Sequence, residues 1–285
     1  MNHNPFENFF PGIGPTDELS LRVSSATLVR VLLEPPTDGE PMLALERKAT
    51  LHETGTGQVV DVISQPFGGA LRIQDLGSLQ SLLGNFHFDG QESLAEQDFR
   101  IFIRPSDWEA VRAFCLRQFH SINDTILETD PTRELTEEFA DTLGVELKQD
   151  QYTYRAVGTI LEDHPAPTKN SHAMGYSTAR IYRIFEVRIL DPDLASAMTN
   201  NSESCSDHDL RELAMQNLGS GGPGRANAVL TLAFKDLSAA YSTILPAARN
   251  EPITFHDHQL DETVAAILDG IRVPKYLRLS NHELP

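Results

Sequence analysis

Residues 132–143 have the sequence TRELTEEFADTL, and this stretch carries the strongest structural signal in the chain. Apolar residues recur at every fourth position along it: Leu135, Phe139 and Leu143. This spacing is typical of an amphipathic helix whose apolar side packs on a sheet. Asp130 can cap the first turn, Pro131 suits that turn, and Gly144 can end the helix. The pattern therefore predicts a helix over 132–143.

The same stretch places three carboxylates at positions i, i+3 and i+4: Glu134, Glu137 and Glu138. On a helix these positions share one face, where each like-charged pair costs a few tenths of a kcal/mol. A hard cation such as Mg²⁺ offsets that repulsion, because it prefers oxygen ligands and also binds phosphates. Arg133 could hold one of these carboxylates or contact a phosphate. The alternative is a solvated acidic face, which is common in acidic proteins.

The rest of the chain alternates between strand-like and helix-like segments. Apolar, β-branched or alternating runs predict strands at residues 26–33, 41–48, 59–64, 99–103, 152–161 and 179–190. Helices are predicted at 106–120, where Ser106 and Glu109 could form a capping box, and around 209–218, 225–242 and 260–271. Residues 200–209 and 219–224 are expected to be loops. This order of elements predicts an α/β (α+β) fold with a mixed sheet flanked by helices.

The hexapeptide Arg133-Glu134-Leu135-Thr136-Glu137-Glu138 resembles the core of the Nudix box, in which arginine and glutamate precede an aliphatic residue, any residue and two glutamates. A Gly-Gly pair, Gly68-Gly69, follows a predicted strand, as is common before that box. The resemblance covers roughly residues 22–195. It implies that Glu134, Glu137 and Glu138 bind Mg²⁺ or Mn²⁺ and that Arg133 organises them. It also implies catalytic roles for Arg133, Glu137 and Glu138.

The composition, the predicted elements and the resemblance together predict a domain organisation. Residues 1–21 are expected to form an irregular N-terminal arm, and 22–195 a Nudix-like domain with an insertion at about 71–130. Residues 196–285 are expected to form a helical C-terminal extension. Because specificity in this family lies in loops and insertions, the insertion is the place to seek the determinants of substrate choice.

The loop half of the Nudix box is missing or displaced. In the full box a glycine lies fourteen positions before the arginine and a glutamate eight before it, and here Phe119 and Thr125 stand there. Ala140 replaces the glycine two places after the paired glutamates, and about sixty residues separate Gly69 from the helix. Three residues could supply the lost carboxylate, and the sequence does not choose among them: Glu92, Glu96 and Glu128.

Several other polar segments are further candidates for a functional role. A catalytic base or further ligand could come from Glu162-Asp163-His164 or from His172, although an ordinary polar loop is the simpler interpretation. His256 and His258 could bind a metal as an i, i+2 pair, but a third ligand at a recognisable spacing is missing. The glycine-rich segment 219–224 lacks the Gly-Lys-Ser/Thr ending of a P-loop, so a flexible connection is favoured.

Composition limits the partners. The 285 residues include 23 Lys and Arg against 41 Asp and Glu, which gives a formal charge of −18. Such a chain repels nucleic acids and anionic membranes, so neither is expected as a partner. Its two cysteines, Cys115 and Cys205, make no disulfide framework, and neither a signal peptide nor a long apolar run is seen. A cytoplasmic protein that could form a homodimer is expected.

Three hypotheses follow. The first is a metal-dependent pyrophosphohydrolase that cleaves a nucleoside diphosphate linked to another moiety, with a small nucleotide as substrate. The second is a non-catalytic Nudix-like nucleotide sensor or interaction module, which the missing loop half of the box would favour. The third is an acidic α+β domain whose match to the box is accidental. Glu134, Glu137 and Glu138 should be grouped under the first hypothesis and dispersed or tied up in ion pairs under the third.

Overall fold

The computed structural model describes residues 11–34, 40–54, 57–119, 126–167, 173, 175–244, 253–273 and 275–279. These residues form the mixed α+β fold that the sequence predicts, with one mixed sheet and helices on both of its faces. No helix in these ranges is long and apolar enough to cross a membrane.

The described strands are β1 Gly12–Ile13, β2 Leu21–Leu33, β3 Met42–Thr54, β4 Gly57–Gln65, β5 His87–Phe88, β6 Arg100–Ile103, β7 Tyr152–Pro167, β8 Ser177–Ile189, β9 Arg225–Ala233, β10 Ile253–Phe255, β11 His258–Leu260 and β12 Leu277–Leu279. The described helices are α1 Leu76–Leu83, α2 Gln91–Glu96, α3 Trp108–Gln118, α4 Thr132–Leu143, α5 Pro192–Ser204, α6 Asp207–Gly219, α7 Phe234–Ile244 and α8 Val264–Ile267. A short 3₁₀ turn, Pro105–Asp107, leads into α3.

Strand β2 is the centre of the sheet and is buried along most of its length. β8 runs parallel to it from the pair Arg22–Thr178 to the pair Leu33–Ile189. On its other side β2 meets β6 first, then the segment 67–71, and finally β3. A strand covered on both faces is expected to be a nearly continuous apolar run, as 26–33 is.

The remaining strands extend the sheet on both sides of β2. β7 is antiparallel to β8, and β12 is antiparallel to β7. β3 pairs with β4 on one side and with β9 on the other. Two side chains of α5 serve the free edge of β9: Val229 N–H donates to Asn201 Oδ1 (2.8 Å) and Thr231 N–H donates to Ser202 Oγ (2.9 Å). Helix α5 therefore satisfies donors that an uncovered edge strand would leave unpaired.

The helices lie in two layers. On one face of the sheet α3, α4 and α5 cover the odd-numbered residues of β2, such as Val23 and Val29. On the other face α7 and α8 cover Leu28 and Leu32. Helix α6 joins the α7 and α8 side, where its buried Leu210 packs on β3 and β9. Because strand residues alternate between faces, this division decides which side chains of each strand can reach α4.

The predicted C-terminal helical extension is only partly helical, although the predicted helix 209–218 is confirmed within α6. Residues 225–233 of the predicted helix 225–242 form strand β9, and only the rest is helical, in α7. A short apolar run can form either structure, and here the open edge of β3 decides for the strand. The predicted helix 260–271 is reduced to the four residues of α8.

The predicted loop at 200–209 is also wrong, because α5 and α6 occupy all of it except residues 205 and 206. Its polar residues favour loops, but Leu194 and Met198 of α5 are buried in the core and hold the helix on the sheet. Within the predicted irregular arm, Gly12–Ile13 pairs with β5, while residues 1–10 lie outside the described residues. The Ser106 capping box does not form, since the Ser106 hydroxyl donates to Asp107 instead.

Candidate functional site

Helix α4 forms over the predicted residues, for the predicted reasons. Asp130 Oδ1 accepts a hydrogen bond from the N–H of Thr132 (2.8 Å), and Gly144 ends the helix in a left-handed conformation with φ 66°. Leu135 and Phe139 are completely buried, and the Phe139 ring lies 5.2 Å from that of Phe67. With its apolar side held on the sheet, α4 presents its carboxylates to the neighbouring strand ends and loops.

Arg133 connects the carboxylates at the start of α4. Its guanidinium donates to Glu128 Oε2 (2.5 Å) and Glu137 Oε2 (2.8 Å) and forms an ion pair with Glu134 Oε1 (2.6 Å). It also donates to the carbonyl of Ala70 (3.2 Å). Burial opposes the charged form, but these carboxylates outweigh it and raise the pKa of Arg133. Arg133 thus stays charged and fixes the acidic face of α4 relative to the chain at Ala70.

Glu134 is buried against the Gly68-Gly69 pair. A Cβ on Gly69 would lie 2.1 Å from Glu134 Oε2, so a larger residue there would displace this carboxylate from its present position. Gly68 has φ 125°, and a Cβ there would lie 2.2 Å from the carbonyl oxygen of Thr27. Burial raises the pKa of Glu134 to about 7, and the nearby Glu137 and Glu138 add to the effect while Arg133 opposes it. The sixty residues between Gly69 and α4 in the sequence do not separate them in space.

Glu138, one turn further along α4, faces strand β3. Its Oε1 lies 3.4 Å from Lys48 Nζ, and the same ammonium lies 2.8 Å from Glu46 Oε2. Burial and the adjacent Glu46 carboxyl raise the pKa of Glu138 to about 8, with Lys48 opposing. Burial alone would lower the pKa of Lys48, but the two carboxylates outweigh it, so it is raised. The Lys48 ammonium therefore forms ion pairs with two carboxylates, those of Glu46 and Glu138.

Glu46 and Lys48 were not among the predicted site residues. They belong to a run of three charged residues, Glu46-Arg47-Lys48, inside a strand whose other residues are largely apolar. Alternation directs Glu46 and Lys48 to the α4 face, whereas Arg47 points to the other face and pairs with Asp207 of α6. Charged residues two apart in a buried strand are the signal that could have identified them.

Of the three residues proposed to replace the lost carboxylate, the structure brings Glu128 to Arg133. Glu92 and Glu96 lie exposed on α2. Glu96 acts at a distance on Asp98, whose pKa is raised to about 6 by burial and by that charge, with Arg100 opposing. Thr125, at the position of the box glutamate, lies outside the described residues. Glu128 is therefore the carboxylate positioned next to the arginine of the box core.

The other candidate residues lie elsewhere. Glu162 and His164 are in strand β7 rather than in a loop, and Glu162 pairs with Arg180 (2.9 Å) and Lys275 (3.2 Å). Its partner on β8, Arg180, points to the face opposite α4, so Glu162 cannot reach the α4 carboxylates. His172 and the Asp163 side chain lie outside the described residues.

The two histidines considered as a metal pair lie at the hairpin that joins β10 and β11. His256 lies in the turn between β10 and β11 with φ 46°, and His258 Nδ1 is 3.5 Å from Asp207 Oδ1. Of the glycine-rich segment 219–224, Gly219 is the last residue of α6, and residues 220–224 connect that helix to β9.

The resulting cluster contains more carboxylates than cationic groups. Arg133 and Lys48 face five acidic side chains: Glu46, Glu128, Glu134, Glu137 and Glu138. Across the described ranges, no group of three or more His, Cys, Asp or Glu side chains lies in an arrangement that could hold a metal ion. The carboxylates are instead held by the arginine and the lysine. Their oxygen donors and excess negative charge fit a hard divalent cation such as Mg²⁺.

Comparisons of the chain with protein-family models, with curated proteins and with solved structures find no match.

Proposed function

We propose that this chain is a Nudix-type, metal-dependent pyrophosphohydrolase that cleaves a nucleoside diphosphate linked to another moiety. The observation that carries the proposal is the grouping of Glu134, Glu137 and Glu128 around Arg133, directly against Gly69. This is the grouping expected if the box core acts as a unit. The ion pairs of Glu134 and Glu137 with Arg133, and of Glu138 with Lys48, are the feature expected for an accidental match, so the proposal stands on the grouping alone.

The charges of the cluster support the proposal. An acidic protein with an acidic site attracts a polyphosphate poorly unless cations intervene. Glu134, Glu137 and Glu138 would hold Mg²⁺ or Mn²⁺, and the ion, when bound, would neutralise the pyrophosphate and the charge that develops as the anhydride breaks. Burial is the largest cause of the raised pKa of Glu134 and of Glu138, and the neighbouring carboxylates add to it, so a bound cation would favour the ionised form of both groups.

The chain's own residues have definable roles in this reaction. Water attacks one phosphorus, a new P–O bond forms, and the bridging oxygen leaves with the bonding electrons. Glu138 is placed to accept the proton of that water, since it is half-buried and close to Glu46 and Lys48. Arg133 keeps Glu134 and Glu137 in place and is a positioning residue in this scheme. Its contact with the Ala70 carbonyl ties that arrangement to the sheet.

The test is phosphate-product release from a panel of nucleoside-diphosphate compounds with Mg²⁺ or Mn²⁺. The wild type should show metal-dependent turnover, and Glu138→Gln should lower it by about 10²–10⁴-fold, as expected for loss of a general base. Asp141→Asn is the matched control, because Asp141 is an exposed carboxylate on the same helix. Equal rates for Glu138→Gln and the control would remove α4 from the mechanism.

A second candidate is a nucleotide-binding module without turnover. It is favoured by the ion pairs of Arg133 and Lys48, which occupy carboxylate oxygens that a cation would need. This candidate predicts that the same compounds raise the melting temperature of the folded protein although none is hydrolysed. A thermal-shift screen with the same panel distinguishes the two functions.

A further inference from the structure

Glu46 lies within strand β3 and is completely buried. The strand is paired on both sides at this point, with Gln65 of β4 and Val229 of β9 opposite Glu46. Its Oε2 accepts a hydrogen bond from Gln65 Nε2 (3.1 Å) and pairs with Lys48 Nζ (2.8 Å). Its Oε1 is buried and has no hydrogen-bond partner among the described residues.

A buried carboxylate oxygen without a donor is costly, so such atoms call for an explanation. A simple structural ion pair between Glu46 and Lys48 does not supply one, because Lys48 also serves Glu138 and leaves Oε1 bare. The group that lies next to Glu46 across the gap is the Glu138 carboxyl, which can donate to Glu46 only while it is protonated. When both groups are ionised, two carboxylates therefore face each other and share one ammonium group, that of Lys48.

We propose that Glu46 is a further ligand for the divalent cation, acting together with Glu138 across the gap between β3 and α4. This inference rests on the proposed function, and it adds a residue from outside the box core to the cation site. Lys48 is the side chain that holds the two carboxylates together when the cation is absent. One-third of its side chain is exposed, so it can swing into solvent when the cation binds.

The geometry of β3 explains why Glu46 suits this role. Its hydrogen-bonded neighbours on both sides keep the backbone in place, and Gln65 holds one carboxylate oxygen. Ligands on rigid elements, supported by a second hydrogen-bonded residue, are those that orient a metal ion best. Glu137, by contrast, is more than half exposed, and its carboxylate is held only by the exposed-side ion pair with Arg133 that the described residues show.

The test measures Mn²⁺ binding to the full chain, by the loss of the free-Mn²⁺ electron paramagnetic resonance signal and by calorimetry. Glu46→Gln keeps the side chain's size and its acceptor for Gln65, and should weaken Mn²⁺ binding at least about tenfold. Glu109→Gln makes the same chemical change in an exposed side chain on α3 and should leave the affinity unchanged. Circular dichroism and thermal unfolding confirm that each variant is folded.

A second variant keeps the test decisive if Glu46→Gln does not fold. Lys48→Met removes the competing ammonium and leaves both carboxylates, so it should bind Mn²⁺ several-fold more tightly than the wild type. An affinity that is unchanged or weaker in Lys48→Met would contradict the inference.

The outcomes separate the inference from the proposed function. If the wild type and Glu46→Gln bind Mn²⁺ equally while Glu138→Gln does not bind it, Glu46 is not a ligand but the α4 site stands. If the wild type binds no Mn²⁺ at millimolar concentration, the inference and the metal-dependent function both fall.

Discussion

Gly69 and Glu134 are in direct contact, although the predicted insertion of about sixty residues separates them in the sequence. A Cβ on residue 69 would lie 2.1 Å from Glu134 Oε2, which is shorter than any real contact between these atoms. The backbone of Gly69 is itself fixed, because its carbonyl accepts a hydrogen bond from the N–H of Thr27 (2.9 Å) on β2. The central strand therefore determines where the first carboxylate of α4 can lie.

Gly69→Ala is expected to displace Glu134 and to lower metal-dependent turnover at least about tenfold, since misplaced catalytic groups lose rate steeply. The measurement is turnover with Mn²⁺, together with Mn²⁺ affinity. Gly77→Ala is the matched control, because a Cβ there would meet only Asp75 Oδ1 at 3.6 Å, which is an ordinary contact. That change lies in helix α1 and should be neutral or slightly stabilising. Equal activity in both variants would mean that Glu134 does not need its present position.

Arg133→Lys is expected to destabilise the protein by about 1–3 kcal/mol, because an ammonium cannot replace a guanidinium that bonds several oxygens in fixed directions. The free energy of unfolding in urea measures this. Arg104→Lys changes an exposed arginine that pairs with Asp107 (2.9 Å), and should shift stability by no more than about 0.5 kcal/mol. If the two variants are equally stable, the carboxylates around Arg133 do not depend on it.

Phe139→Ala tests whether the apolar side of α4 anchors the site. The Phe139 ring is completely buried against Phe67, which immediately precedes the Gly68-Gly69 pair. Its removal should cost about 3–5 kcal/mol in unfolding free energy. Leu213→Ala on α6 removes an apolar side chain that is about half exposed, and should change stability by about 0.5 kcal/mol or less. Comparable losses in both variants would contradict the packing of α4 described above.

The stability of the metal-free protein should depend on pH through Glu138. Its folded-state pKa of about 8 lies above its ordinary value of 4.5, so the folded chain binds more protons than the unfolded chain between these values. This contribution is therefore favourable at the acidic end of the window and is lost as the pH rises through 8. Glu138→Gln, which is always neutral there, should equal the wild type near pH 5 and exceed it by about 1–4 kcal/mol at pH 8.

Thermal unfolding at pH 5, 6, 7 and 8 measures this difference. Added Mg²⁺ should stabilise the wild type most at pH 8, where the carboxylates are ionised, and should stabilise Glu138→Gln much less. Parallel pH profiles for the two proteins, with or without Mg²⁺, would show that folding does not raise the pKa of Glu138.

The sequence predictions were correct where the structure depends on neighbouring residues and wrong where it depends on distant ones. Helix α4 was predicted residue by residue, because its caps and its four-residue apolar repeat depend only on neighbours along the chain. Residues 225–233 and 200–209 were predicted wrongly, because their structures depend on distant partners. The first pairs with the edge of β3, and the second is held by the burial of Leu194 and Met198.

By itself the sequence determined the mixed α+β class, the apolar strand at 26–33, the helix over 132–143 and the grouping of Glu134, Glu137 and Glu138 on one side of it. These follow from periodicity and from capping, which act over a few residues. Only the tertiary structure decided that Gly69 contacts Glu134, that Glu128 rather than Glu92 or Glu96 meets Arg133, and that Glu46 and Lys48 face Glu138. Such contacts join segments far apart in the chain, and their positions depend on strand pairing and on the packing of α4 across the sheet.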